Sequence, residues 1–448
     1  MSRATDADEP SPLDGFRQFF ALERDVLVLS LAMFAFSLGF QMTNRFLPEY
    51  MVALGASGVV VGLFGTVGNV ISAVYPYPGG ALSDRLGSRY ALTLFGLVST
   101  LGFVVWLVAP GLGSLRLAGL VLEPWIWVFV GLLFAQAWKS FGLGATFAVV
   151  KQATEPSKLA AGFASTETFR RTAFLVGPVL AAVLIGLHPA FTTSFQYVLA
   201  VAVVFGAVGT AAQHFLYDPG EDSIGDSFEG LTQIRADLRA MPSALRPLLV
   251  GDTLVRFANG MVYVFFVLVV TQFYEVGFDA TLPLIGAVSL SPAAFFGYLL
   301  GVEMLVALVS MAPVSKAAER VGLKPVVALG FAVYALFPVV LIGAPAALAG
   351  TLSLQWVLVL VFAFSGLRFA GLPSHKALIV GPAEAGSGGR VTGTYYLLRN
   401  TVVIPSAALG GYLWEFVSPE VAFTLAAAIG VVGTGYFLVF GEEFTAYR

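Results

Sequence analysis

Eight basic residues lie inside or at the ends of long apolar stretches of a 448-residue chain that is only 11% charged: Arg45, Lys139, Arg170, Arg171, Arg256, Arg368, Lys376 and Arg399. Three acids, Glu167, Asp252 and Glu303, accompany them. An ionised side chain at the centre of a bilayer costs about 2.5–3.5 kcal/mol on an insertion scale, so such groups usually face a bundle interior or a wet cavity. There they can bind a polar solute or carry a proton. Helical spacing agrees, because Ser37, Gln41, Asn44 and Arg45 share one face and Asp252, Arg256, Asn259 and Tyr263 share another.

Asp252 can pair with Arg256, and Glu167 with Arg170 or Arg171, at three- and four-residue spacing. Lys139, Arg368 and Arg399 have no acid within one turn of their own helices, and an anionic substrate group would serve them. Arg45 and Lys376 can equally snorkel from span ends. Glu303 has no base within a turn. Burial favours a neutral carboxyl, which makes Glu303 the first choice for a coupling-proton site and Asp252 the second; a hydrogen-bonded packing acid is the equal alternative. His375 could join a proton path on the face of Arg368, or be structural.

The elements that must hold these groups are membrane helices. Apolar residues make up 58% of the chain and mean hydropathy is +0.85, against roughly 25% charge in soluble domains. Runs of about 20 apolar residues read as spans. Twelve are expected, near 26–47, 57–78, 90–109, 124–150, 165–187, 193–216, 248–272, 293–313, 325–343, 354–379, 392–414 and 420–440. They divide into bundles over 26–216 and 247–441, joined by a polar linker at 217–246 and flanked by tails at 1–25 and 442–448. Most lysines and arginines outside the spans fall on one side, with Arg116 opposite, so both termini are expected in the cytoplasm and the protein in the cytoplasmic membrane.

The chain has no cysteine, and its three histidines lie in separate segments, so neither a thiolate nor a paired-histidine metal site is expected. A net charge of -3 implies no nucleic-acid partner. No nucleophile elbow or phosphate loop is present, and an enzyme is not expected. No cofactor is expected either; a proton gradient is the expected energy source. The lipid bilayer, a small solute and protons are the expected partners of a monomer.

The two bundles repeat each other. In one gapless register Trp127, Lys139, Gly142, Glu155, Arg170 and Thr172 fall on Trp356, Arg368, Gly371, Glu384, Arg399 and Thr401. In a slightly longer register the loop Gly80 to Arg89 falls on Ser315 to Lys324, pairing Asp84 with Glu319, Arg85 with Arg320, Gly87 with Gly322 and Arg89 with Lys324. This glycine, acid, base, glycine, base loop between helices two and three resembles the signature of the major facilitator superfamily, with a degenerate copy between helices eight and nine. Gly177-Pro178 in helix five resembles a second signature, that of drug/proton antiporter-like exporters, although alanines stand where those continue with two glycines. Lys139 also precedes Gly142 and Gly144 one position too closely for the helix-four pattern.

The resemblance implies an all-α polytopic fold, two pseudo-twofold-related six-helix bundles with a substrate path between them, and alternating access by rocking. The signature loops then act as a cytoplasmic latch in which Arg85 and Arg89 pair with Glu155 or Glu167, and Arg170 and Arg171 belong to the gate. Proton-coupled efflux of an amphiphilic or drug-like compound is the first expectation. Uptake or exchange of an organic anion is the alternative, and a transporter-like receptor without turnover is the reading of another class.

Overall fold

The computed structural model describes residues 24–75, 86–117, 120–139, 159–217, 239, 241–282, 286–382 and 388–443. The first expected span is bent. Helix α1 (Arg24–Thr43) runs into α2 (Leu47–Ala53) with a 45° change of direction. Pro48, whose nitrogen cannot donate, sits in the first turn of α2, where that N–H is not needed. The expected boundary at 47 is therefore corrected to Ala53, because the proline starts a second helix and does not end the span.

The first half continues with α3 (Gly58–Val74), α4 (Ser88–Leu112), α5 (Ile126–Ala137), α6 (Leu159–Ile185) and α7 (Phe191–Leu216). The second begins with α8 (Leu245–Val262), which runs on through a 3-10 turn, one α turn and a π turn to Phe273. Then come α9 (Pro292–Val321), α10 (Leu323–Ala347), α11 (Leu354–Gly366), α12 (Leu372–Val380), α13 (Gly388–Val403), α14 (Ser406–Phe416) and α15 (Pro419–Phe440). The span expected at 392–414 is split at Pro405 into α13 and α14. Among the described residues seven helices are long and apolar enough to cross a membrane, or eight counting the bent pair as one span. Short hairpins, Leu115–Leu117 with Leu120–Leu122 and Phe278–Leu282 with Gly286–Leu290, qualify the all-α expectation.

The end of the bundle where α1 starts is called near and the other far. Within the first half α1 packs on α6 and α7, and α4 on α5 and α7. Within the second, α15 packs on α8 and α10, and α11 on α9 and α10. The halves meet along two seams, α3 against α14 and α6 against α9. The registers that lay Gly80 on Ser315 and Lys139 on Arg368 carry α3 onto α9, and α6 onto α13 and α14, so the repeat exchanges the two seams.

Both seams are tightest at the far end. A Cβ on Gly62 would stand 2.5 Å from the Ala407 carbonyl oxygen, and one on Gly297 2.8 Å from that of Pro178. Such backbone approach is how membrane helices gain packing energy where lipid offers no hydrophobic drive. Phe46 and Phe296 meet edge to face across the halves with ring centroids 5.6 Å apart.

Candidate functional site

A cavity of about 400 Å³ lies between the halves beside the α6–α9 seam. One wall is largely apolar: Phe174 and Pro178 from α6, and Leu300, Met304, Ala307, Leu308 and Met311 from α9. The rest is mainly cationic and aromatic: Arg45 at the end of α1, Arg256, Asn259 and Tyr263 from α8 and the turn after it, Tyr334 from α10, Arg368 and Phe369 from the 3-10 turn after α11, and Lys376 from α12. Gln41, Glu303 and Leu372 also line it, and Arg170 and Arg171 stand on the near part of α6.

Arg368 Nη2 donates to Glu303 Oε1 at 2.6 Å, and each residue is only 2% exposed. Neither has an opposite charge within a turn of its own helix, and each finds its partner on a neighbouring element, with no solute needed for Arg368. One bond does not saturate the pair. Arg368 Nε and Nη1 and Glu303 Oε2 are buried with no hydrogen-bond partner among the described residues. Aromatic rings stand in for the missing acceptors, with the guanidinium carbon 4.8 Å from the Phe369 centroid and 5.2 Å from those of Tyr334 and Phe337. Arg45 lies 4.2 Å over the Tyr263 ring, and its Nη2 is likewise buried without a partner.

Asp252 is fully buried and saturated. It accepts from Arg256 Nε at 3.2 Å, from Arg399 Nη1 at 3.1 Å and from the Tyr395 hydroxyl at 3.1 Å, and His375 Nε2 lies at ion-pair distance, 3.3 Å. Arg399 also donates twice to Asn400 Oδ1. Arg399, which has no acid on its own helix, thus takes its partner from α8 and not from a solute. So many donors around one carboxylate make Asp252 a brace for α8, α12 and α13 more than a free proton carrier.

Other expected site residues lie elsewhere. Asn44 is half-buried and Lys139 exposed, both outside the cavity lining, while Arg399 and Asn259 line a smaller adjoining pocket with Asn69 and Arg256. Arg171 reaches across the halves to Met311 Sδ at 3.6 Å. Gly177 packs against Gln41 of α1, whereas Pro178 faces the cavity. Gly80, Asp84, Arg85 and Glu155 fall outside the described residues, and only the backbone of Glu167 is described. Arg89 donates to the His214 carbonyl oxygen at 2.7 Å within its own half. Gly87 and Gly322, repeat mates, both take positive φ, 77° and 91°, which favours glycine. Glu319 and Arg320 are exposed and Lys324 half-buried; the backbone nitrogens of Leu323 and Lys324 donate to Glu443 at 2.9 Å.

Sequence reasoning passed over Glu49. Only 9% exposed, it accepts from Thr271 Oγ1 at 2.5 Å and from Gln272 Nε2 at 2.9 and 3.1 Å, joining α2 to the π turn across the halves at the far end. A signal existed in the acid that follows Pro48, but it lay beyond the assumed span end. Tyr334 and Tyr395 were also missed: nothing in its own segment marks Tyr334, and Tyr395, one turn from Arg399 on α13, owes its place to Asp252 of α8.

This geometry sits on a known architecture. The family model described as Major Facilitator Superfamily matches residues 29–302, and the chain belongs to that superfamily. Its long apolar helices make it a multi-pass membrane protein. An uncharacterized MFS-type transporter of Mycobacterium tuberculosis is 29% identical over 225 residues, which are 50% of this chain and 49% of that one. The chain therefore spans about half the length of the curated relatives it matches. Among solved structures, the nucleoside transporter NupG superposes with a TM-score of 0.72 at 14% identity, covering 93% of this chain and 100% of that one. The peptide transporter POT does so with 0.68 at 15%, covering 96% and 99%. These likenesses define the fold.

Proposed function

We propose that this chain is a proton-coupled secondary transporter of an amphiphilic organic anion, working by alternating access. The observation that carries this reading is the asymmetry of the cavity. Among the described residues, six cations, Arg45, Arg170, Arg171, Arg256, Arg368 and Lys376, line it with one carboxylate, Glu303, beside phenylalanine, leucine and methionine side chains. An anionic head gains charge-assisted bonds from the cations while its body leaves water against the apolar side chains.

Coupling follows from the incomplete Glu303–Arg368 pair. A proton on Glu303 removes the charge that holds the guanidinium and leaves Arg368 free for the substrate, so proton and anion load together. The paired carboxylate and the solute compete for one cation, which favours co-transport over the exchange implied by the exporter resemblance. Efflux of an uncharged amphiphile is the second reading; the methionine-rich wall on α9 favours it, because flexible thioethers suit variable ligands.

The test is a solute panel in proteoliposomes under an imposed pH gradient. Anionic amphiphiles are expected to move with the proton, and Glu303→Gln to retain binding but lose gradient drive. Equal transport of neutral and anionic solutes, or unchanged gradient dependence in Glu303→Gln, would reject the reading in favour of plain efflux.

A further inference from the structure

The far closure holds a buried acid with no cation beside it. Glu49 of α2 is 9% exposed, and among the described residues no lysine, arginine or histidine forms an ion pair with it. Its partners are neutral groups of the other half: Thr271 Oγ1 lies 2.5 Å from Oε2, and Gln272 Nε2 donates to Oε1 at 2.9 Å and to Oε2 at 3.1 Å. Thr271 is half-buried and Gln272 exposed, which puts Glu49 just beneath the far surface.

The elements packed on α2 bring no counter-charge. Neither α3 nor the α turn Phe266–Leu268 has a titratable residue, and α7 has only Tyr197 and, at the near end, His214. The π turn that carries Thr271 and Gln272 has none either. Closer along the chain, the Tyr50 hydroxyl donates to the Trp106 carbonyl oxygen, and Arg45 lies over the Tyr263 ring. The far loops and helix ends add mostly acids, Glu123, Glu275, Asp279, Glu415 and Glu420, against Arg116 and His188.

Burial without a cation disfavours a carboxylate, and neighbours of the same sign disfavour it further. The hydrogen bonds suit a neutral acid. The Thr271 hydroxyl has one proton to give, and the Val267 carbonyl oxygen also stands within reach of it at 2.9 Å. With that proton given to Val267, a proton on Glu49 Oε2 donates to Thr271 Oγ1 while Oε1 accepts from Gln272. Each proton then has its own acceptor. When the far ends part, water reaches Glu49 and solvates its charge, and the proton leaves for the far solution.

We infer that Glu49 is a far-side proton site that locks the far closure, protonated while the halves are shut at that end and ionised when they open. This rests on the alternating-access reading above but not on the charge of the solute. By linkage, acid on the far side holds that end shut, and the hold fades as the pH rises. The proton returns to the side it came from. It therefore sets how often the far side reopens, a role separate from that of Glu303.

The test is the distance between spin labels at Arg116→Cys and Ser289→Cys, on the two far hairpins, in the full chain in lipid nanodiscs without solute. Every sample carries Glu303→Gln, so that the coupling carboxyl does not titrate. With Glu49 present, the ratio of open to shut is expected to rise with pH, by at most about tenfold per unit, the limit for one proton. Glu49→Gln keeps the shape and cannot titrate; it is expected to stay shut at every pH. Glu49→Ala is expected to be equally flat but enriched in the open form. A slope that survives in Glu49→Gln would overturn the assignment. So would opening on acidification, which is how an ionised latch behaves, or a ratio that ignores pH with Glu49 in place. None of these outcomes touches the anion reading, which the solute panel tests by itself.

Discussion

Repeat-related cations meet different fates in the two halves of this transporter. In the second half Arg368 and Arg399 each sit on a buried carboxylate, Glu303 and Asp252, carried by a different helix of the same half. Their mates in the first half, Lys139 and Arg170, are placed otherwise: Lys139 is exposed and Arg170 lines the cavity with its guanidinium 5.7 Å from the Phe174 ring. A duplicated scaffold thus seats one pair of positions on buried acids of its own half and places the other pair at the surface and on the cavity lining. The contrast teaches that an intramembrane cation is not in itself a binding group; its meaning depends on whether a neighbouring helix supplies the counter-charge.

The contrast can be broken most severely at Asp252. Asp252→Ala leaves Arg256, Arg399 and His375 without their shared acid, and is expected to destabilise the protein by about 3–5 kcal/mol, read as a fall in the thermal midpoint in detergent. A smaller effect belongs to Arg368→Met and Glu303→Gln. Each alone should destabilise, while the double variant recovers part of the loss, with a coupling of about 1–3 kcal/mol in a double-mutant cycle; strict additivity would show that the pair is not an energetic unit.

Between the halves, Glu49→Ala removes hydrogen bonds to Thr271 and Gln272 across the far seam. A shift of about 1–2 kcal/mol toward far-side opening is expected. The absence of native cysteine makes this measurable by distances between spin labels at Arg116→Cys and Ser289→Cys, on the two far hairpins. Lys139→Gln sharpens the comparison from the other side. As an exposed cation without a braced partner among the described residues, it should change stability by less than about 0.5 kcal/mol in the same melts.

Much of the architecture was legible because bilayer physics writes it in long apolar runs, and the gapless repeat exposed the kinship of the halves through Lys139 and Arg368. Local periodicity also placed Arg256, Asn259 and Tyr263 on one face of α8, and all three line the cavity. What a single segment could not reveal was charge pairing between helices. Glu303 with Arg368, and Asp252 with Arg399, are 65 and 147 residues apart in sequence. Breaks were hidden for a related reason: Pro48 and Pro405 lie within apolar stretches whose length alone satisfies a membrane, so hydropathy passes over them. Glu49 was lost with the first break, for its side chain gains a purpose only from the π turn opposite.

The split at Pro405 has its own consequence. Above it, α14 is anchored to α3: the Ala408 nitrogen donates to Thr66 Oγ1 at 3.0 Å and the Gly58 nitrogen to Glu415 at 2.8 Å. Below it, α13 carries Tyr395 and Arg399 to Asp252. With the proline unable to donate a backbone bond, the joint behaves as a knee between two loyalties, one segment clamped to the opposite body and one to its own. Motion of the bodies would then be absorbed as flexing at a single vertebra, and amide deuteration should run fastest there in any state that the transporter visits in passing.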